Sequence, residues 1–212
     1  MINITGEILN KIAPLIKGER ANEIANYLNK ICPLYGINSA DIMHEFLANV
    51  LVECGQFTVF AENLNYSAKR LTQVWPSRFP TIQDAIPYEH NPMKLANKVY
   101  AGRLGNINEG DGYNFRGSGA IQLTGRSNIT NFTNYFNAKF NTTYTPEQIA
   151  ELLRTDLATT IHSACWFFAI AKNLIQLAID DELKTIVKRI NGGYIGLSER
   201  TNFYKKCVQY IK

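Results

Sequence analysis

Two carboxylates set around a helix stop carry the first chemical signal in this chain: Glu53 in Leu51-Val-Glu-Cys-Gly-Gln-Phe57 and Glu62 in Ala61-Glu-Asn-Leu-Asn-Tyr-Ser67. Ile42, Phe46, Leu47, Val50 and Leu51 recur at steps of three and four over residues 39–54, which is helical periodicity, and Gly55 follows as a C-terminal cap. Glu53 is therefore expected in a last helical turn. There, unpaired carbonyls and the apolar neighbours Val52, Cys54 and Phe57 disfavour an ionised carboxylate. Glu62 lies beyond the stop in a run of Asn63, Asn65, Tyr66 and Ser67, whose donors favour the charged form. One carboxyl kept protonated and one kept ionised is what acid–base hydrolysis of a glycosidic bond requires. A glutamate near a helix end is more often just a solvated side chain, so the pair gains meaning only from what accompanies it.

Other chemistries have little support. Seven glycines between residues 102 and 125 give a backbone that turns often and can approach a ligand closely, or simply a long surface loop. The segment from Asp111 to Arg126 lacks the G-K-[ST] ending and the preceding apolar strand of a phosphate cradle. Ser118 misses the G-x-S-x-G elbow, and His44, His90 and His162 give no triad order. His44-Glu45 is followed by Phe46, Leu47 and Ala48, so there is no H-E-x-x-H, and no metal or other cofactor is expected.

The elements that must position the carboxylates read as mainly α. Ile8, Ile12, Leu15 and Ile16 mark one amphipathic helix over residues 5–17, with Pro14 as a kink, and Ile24, Leu28 and Ile31 mark a second over 21–32. Further helices are expected at 66–74, at 91–101 with Leu95, Val99 and Tyr100 buried, at 147–153, at 180–190, and from Ser198 onward. Asp156 caps a long apolar segment running to about Ala178, the candidate for the central core helix. Strand signal is confined to about Ala120–Thr124.

The chain has 212 residues, 46% of them hydrophobic and 19% charged, which suits one catalytic domain over 1–212 with residues 1–38 as its N-terminal helical part. The formal net charge is +4, spread too thinly for a nucleic-acid-binding face. Cys32, Cys54, Cys165 and Cys207 lie widely spaced among apolar residues, as reduced core thiols do. No signal peptide or membrane span is visible. The expectation is a monomer made in the cytoplasm, without stable membrane insertion, that acts on the cell wall only after release.

With these pieces in order, the sequence resembles the family 19 glycoside hydrolases, the chitinase-like group that includes many phage endolysins. The likeness spans roughly residues 40–210. It is carried by Glu53-Cys-Gly-Gln-Phe, Glu62-Asn-Leu-Asn-Tyr-Ser-Ala68, Asn91-Pro, Tyr100-Ala-Gly-Arg-Leu-Gly-Asn106, the run from Gly110 to Arg126, and Arg189-Ile-Asn-Gly-Gly193. The resemblance implies a lysozyme-like, two-lobed helical fold with at most a small β element, cleaving β-1,4 bonds between N-acetylated sugars with inversion. It implies Glu53 as general acid, Glu62 as general base, and Thr124 as a hydroxyl that helps hold the attacking water. Gln122, Asn128 and Asn191 match sugar-binding positions, Arg200 falls near an arginine that supports the carboxylates, and Tyr113 stands at the entry to the glycine-rich loop. Asp111 is the next candidate should Glu62 not be the base. Val52 and Cys54 flank the acid where many relatives have His and Thr, and Ser118 replaces a common arginine. The expected substrate is peptidoglycan. The alternatives are chitin or, with catalysis lost, a glycan-binding module.

Overall fold

The computed structural model describes residues 2–212, and among them almost all regular structure is helical. In chain order the helices are α1 (Gly6–Ile12), α2 (Glu19–Ile31), α3 (Ala40–Glu53), α4 (Ala68–Val74), α5 (Ile82–Ala85), α6 (Pro92–Tyr100), α7 (Asp111–Asn114), α8 (Arg126–Phe140), α9 (Pro146–Thr155), α10 (Leu157–Trp166), α11 (Ile175–Ile179), α12 (Leu183–Asn191) and α13 (Leu197–Tyr210). The β content among the described residues is two isolated bridges, Ala61 with Ser118 and Ser118 with Leu123. The chain is thus mainly α, and the strand signal near 120–124 corresponds to one of these bridges. Two compact units are formed. The first comprises the chain up to Phe60, Gly119–Gln122 and Leu152–Lys212, and the second comprises Ala61–Ser118 and Leu123–Glu151.

The first unit is built on α3. Ten successive residues from Ile42 to Leu51 are buried, which an amphipathic surface helix would not show. α13 and α11 pack on it, and Phe46 meets Phe168 edge to face with ring centroids 5.5 Å apart. Full burial of such a side chain stabilises by about 1.5–3 kcal/mol. α10 packs on α2 and is started by Asp156, whose carboxylate accepts from the Thr159 N–H at 2.7 Å. Four free cysteines lie buried in this unit, as expected of core thiols, with the sulfurs of Cys32 and Cys165 3.7 Å apart.

The second unit has its own core of Leu64, Ala68, Leu71, Phe79, Ala85, Leu95, Ala96 and Val99, flanked by Tyr66, Trp75, Tyr88, Tyr100 and Tyr113. Ser67 caps α4 through the Arg70 N–H. Asn91 caps α6 through the Lys94 N–H, with Pro92 at the first helical position, where its missing N–H costs nothing. α6 and α7 meet at Gly112, where any Cβ would fall 2.5 Å from the Ala96 carbonyl oxygen. Only glycine fits that approach.

Several expectations are corrected. Pro14 does not kink a helix: α1 ends at Ile12, because the residue before a proline is driven out of the helical region. The apolar run after Asp156 is not one helix. α10 gives way at Phe167 to a π-turn, and Asn173, at φ 49°, precedes the short α11. α10 is a core helix as expected, with most of its residues buried, while α3 carries the longer unbroken buried run. α8 lies outside the expected helices, because Asn, Thr and Phe lie low on the helix scale and mask the three-and-four spacing of Ile129, Phe132 and Phe136. It forms because Ile129, Phe132, Thr133 and Phe136 are buried on one face.

Within α3 one buried group stands against the apolar pattern. Glu45 has no exposed surface and neither carboxylate oxygen has a hydrogen-bond partner. Burial, with Asp181 and Glu182 nearby, pushes its carboxyl up to about 8 from 4.5. Glu45 in turn acts on Tyr204 and Cys207 of α13, whose protons are also held more tightly, chiefly by burial. Between those two pH values the folded chain holds a proton that the unfolded chain has lost, so stability must fall as pH rises through this window. Thermal midpoints of the wild type should decline from about pH 5 to about pH 8, and Glu45→Gln should flatten that decline. A wild-type midpoint that stays level over the same range would show that Glu45 is not buried as described.

Candidate active site

α3 ends in a turn that is held from several directions. The Gly55 N–H donates to the Val52 carbonyl at 3.5 Å and the Gln56 N–H to the Leu51 carbonyl at 2.7 Å, the two bonds of a Schellman cap. Gly55 sits at φ 51°, but Gln56 and Phe57 follow at φ 59° each. A left-handed conformation costs a residue bearing a side chain roughly 1–2 kcal/mol, so this run persists because its surroundings over-determine it. Cys54 supplies much of that determination. Its thiol donates to the Val50 carbonyl at 3.0 Å and accepts from the Phe57 N–H at 3.2 Å, and its carbonyl accepts from Thr58 and Val59. Burial pushes this thiol up to about 12, which keeps it a neutral donor. Gln56 also accepts from the Leu15 N–H at 3.1 Å.

Glu53, in the last turn before this loop, is ion-paired with Arg200 of α13. Arg200 is only 3% exposed. Its Nη1 donates to the carbonyl and to the side-chain oxygen of Asn49, at 3.0 and 3.1 Å, while its Nη2 meets the Glu53 carboxylate. The Asn49 Nδ2 donates to the Glu45 carbonyl at 2.8 Å, which leaves its oxygen turned to Arg200. An apolar setting for Glu53 is therefore only part of the picture: Cys54 and Phe57 are buried, but the carboxylate faces a guanidinium. Also in this unit, Gln122 sits at φ 51° with its Nε2 donating to the Gly119 carbonyl at 3.0 Å. Asn191, exposed at the end of α12, donates to the Ile195 carbonyl at 3.4 Å.

In the second unit, Glu62 is held at backbone and side chain alike. Its N–H donates to the Gly117 carbonyl at 2.9 Å, and the Gly117 N–H returns to its Oε2 at 3.2 Å. The Tyr100 hydroxyl donates to the carboxylate, lying 2.7 Å from Oε1 and 2.9 Å from Oε2. Thr124 and Asn128 come together just before and within the first turn of α8, the Asn128 Nδ2 donating to the Thr124 carbonyl at 2.8 Å. Tyr113 packs against the core with the Arg116 guanidinium 4.0 Å above its ring.

Each carboxylate thus has a dedicated, partly buried partner, as acid–base groups need if they are to stay oriented through a reaction. No family model matches the chain. It is, however, 36% identical over 162 residues to a "Glycosyl hydrolase family 19 domain-containing protein" of Haemophilus influenzae, an alignment covering 76% of this chain and 75% of that protein. The chain belongs to glycosyl hydrolase family 19. It is therefore a glycoside hydrolase. Sequence reasoning about this hydrolase missed Asn49 and the contact of Tyr100. Asn49 carried a readable signal, a polar residue four positions before Glu53 on a buried helix. Tyr100 stood only as part of a motif and a buried face, and nothing in the sequence links it to Glu62.

Asp111, the other carboxylate considered as a base, is held in an ion pair with Arg126. Oδ1 accepts from Arg126 Nη2 at 2.6 Å, and Oδ2 accepts from Arg126 Nε and from the Ile107 and Asn108 N–H groups at 3.0–3.1 Å. Arg126 also stacks over Phe115 at 4.3 Å and bonds Glu147 at 2.7 Å. The Arg126 guanidinium, first of all, holds the Asp111 carboxyl below the usual range. Asp111→Asn should therefore cost about 1–3 kcal/mol of stability, since it removes one of the two carboxylates on the Arg126 guanidinium and weakens the charged hydrogen bonds to it. Chemical denaturation checks this. An unchanged midpoint would mean that the pair is ornamental.

Proposed function

We propose that this family 19 hydrolase is a muramidase of the endolysin kind, cleaving β-1,4 bonds of peptidoglycan with inversion. In this reading Glu53 gives a proton to the leaving glycosidic oxygen, and Glu62 takes one from the attacking water. The observation that carries it is the pairing of each glutamate with its own partner. Arg200 is placed to stabilise the anion that Glu53 becomes once its proton has gone, and an acceptor fixed by Tyr100 and the Gly117 N–H is what a water-activating base requires. Thr124 would help hold that water. Gln122, Asn128, Asn191 and Tyr113 would take the sugar's acetamido and hydroxyl groups, with Arg200 acting through Glu53. Residues 1–212 would work as one catalytic domain and as a monomer, reaching the wall after release from the cytoplasm.

Peptidoglycan is preferred to chitin for two reasons. The short connection between Glu53 and Glu62 and the Gly110-Asp-Gly-Tyr113 entry resemble endolysin members. The formal charge of +4 also favours approach to an anionic wall, through an attraction that salt should weaken. Among the described residues no helix is long and apolar enough to cross a membrane. New N-acetylmuramic acid reducing ends from purified wall are the expected product, whereas rapid cleavage of chitin oligomers with no attack on wall would leave a chitinase instead. Glu53→Gln should lose on the order of a hundredfold or more in turnover. Glu62→Gln should lose turnover while keeping glycan binding. A folded Glu53→Gln protein with wild-type turnover would overturn the acid, and a Glu62→Gln protein that binds poorly but turns over normally would overturn the base.

A further inference from the structure

We infer that Tyr100 is a positioning residue for the general base, holding the Glu62 carboxylate through its phenolic hydroxyl. The inference deepens the assignment of Glu62 as base and rests on it. A carboxylate on a flexible side chain can rotate about its terminal bond, and such terminal torsions are broad. Glu62 has two donors set against that rotation: the Tyr100 hydroxyl, 2.7 and 2.9 Å from its two oxygens, and the Gly117 N–H, 3.2 Å from Oε2. The hydroxyl lies almost equidistant from both oxygens, so it meets the carboxylate along its fork, and the backbone donor then decides which oxygen is which. Oε1 is the oxygen without the second donor, and is assigned to take the proton from water.

Tyr100 is itself anchored. It ends α6, whose Leu95, Ala96 and Val99 are buried in the core of the second unit. Its carbonyl accepts from the Asn106 Nδ2 at 3.2 Å and the Arg103 N–H at 3.3 Å. Asn106 is 1% exposed and its oxygen accepts from the Arg126 N–H at 2.8 Å. The Tyr100-Ala-Gly-Arg-Leu-Gly-Asn106 segment therefore closes on itself around the tyrosine that grips Glu62. Burial first, and then the Glu62 carboxylate, raise the Tyr100 phenol well above its ordinary value, so it stays a donor across the working range. Its ring is partly buried against the core of the second unit, which limits the hydroxyl's direction without needing the hydrogen bond.

Tyr100→Phe keeps the ring and removes only the grip. With purified peptidoglycan and a soluble chitin oligomer as substrates, kcat should fall by about ten- to a hundredfold on whichever is cleaved, the range expected for losing a hydrogen bond to a charged group, with KM little changed. A purely structural tyrosine would instead lower the thermal midpoint and leave the kcat of the folded fraction alone, and that result overturns the proposal. The contact itself is tested without turnover, by following phenolate absorbance with rising pH. The wild-type minus Tyr100→Phe difference gives the Tyr100 titration, which should move to lower pH in the Glu62→Gln background. No movement would likewise overturn the proposal. If Tyr100→Phe is too unstable to assay, the wild-type minus Glu62→Gln difference in phenolate absorbance decides instead: one tyrosine that titrates earlier in Glu62→Gln supports the grip, and superimposable curves overturn it. Wild-type turnover by Glu62→Gln would sink the base assignment instead, whatever Tyr100 does.

Discussion

A guanidinium almost wholly removed from water has to find acceptors, and Arg200 finds all of its recorded ones on α3. Two of them come from Asn49 and one from Glu53, four residues apart and so on the same face of the helix. The packing of α13 on α3 is thereby keyed in register as well as being apolar, because a shift of either helix would strand a buried charge at a cost of several kcal/mol. The Nε of Arg200 is buried with no partner, so the fit is bought at some expense to hydrogen bonding. Glu53 thus serves two ends: it closes the charge balance of the first unit and stands at the mouth of the strained turn that follows.

That turn shows how a local strain is supported from its surroundings. Three successive left-handed residues would not persist in an isolated peptide. Here the buried Cys54 both donates and accepts through its thiol, while Gln56 reaches the backbone of the N-terminal segment at Leu15. The polar groups on α3 are spaced to match: Glu45, Asn49 and Glu53 recur every four residues along an otherwise apolar helix. Asn49 links the other two, bonding the carbonyl of one and the guanidinium that holds the other.

In the second unit the equivalent constraint is the pair of Asp111 and Arg126. A segment with so many glycines gains little order from its own backbone. The carboxylate of Asp111 collects two backbone N–H groups and the Nε–Nη2 edge of a guanidinium, and Arg126 carries the connection on to Phe115 and Glu147. Asn106 is tied into the same knot through the Arg126 N–H. What looks like a loose loop is therefore cross-braced at one end by charge and at the other by the Tyr100 segment, and Glu62 is held between Tyr100 and Gly117 as a consequence.

The sequence by itself determined the mainly α class, the stop after Glu53, the capping of α10, the burial of four reduced cysteines and the family, because each depends on spacing within a few residues or on motifs read in order. The two candidate carboxylates were legible for the same reason, and Arg200 through the family resemblance. What tertiary structure alone decided was who touches whom. Glu62 and Tyr100 are 38 residues apart, and Glu53 and Arg200 are 147 apart. No periodicity encodes such contacts, since they follow from how whole helices pack. The break after α10 was hidden because a π-turn leaves an apolar run apolar, whereas α8 was readable in the spacing of Ile129, Phe132 and Phe136 but masked by poor helix formers between them. Asp111 is the plainest case. As a residue type it was a candidate base, and only its four occupied hydrogen-bonding contacts made it a brace.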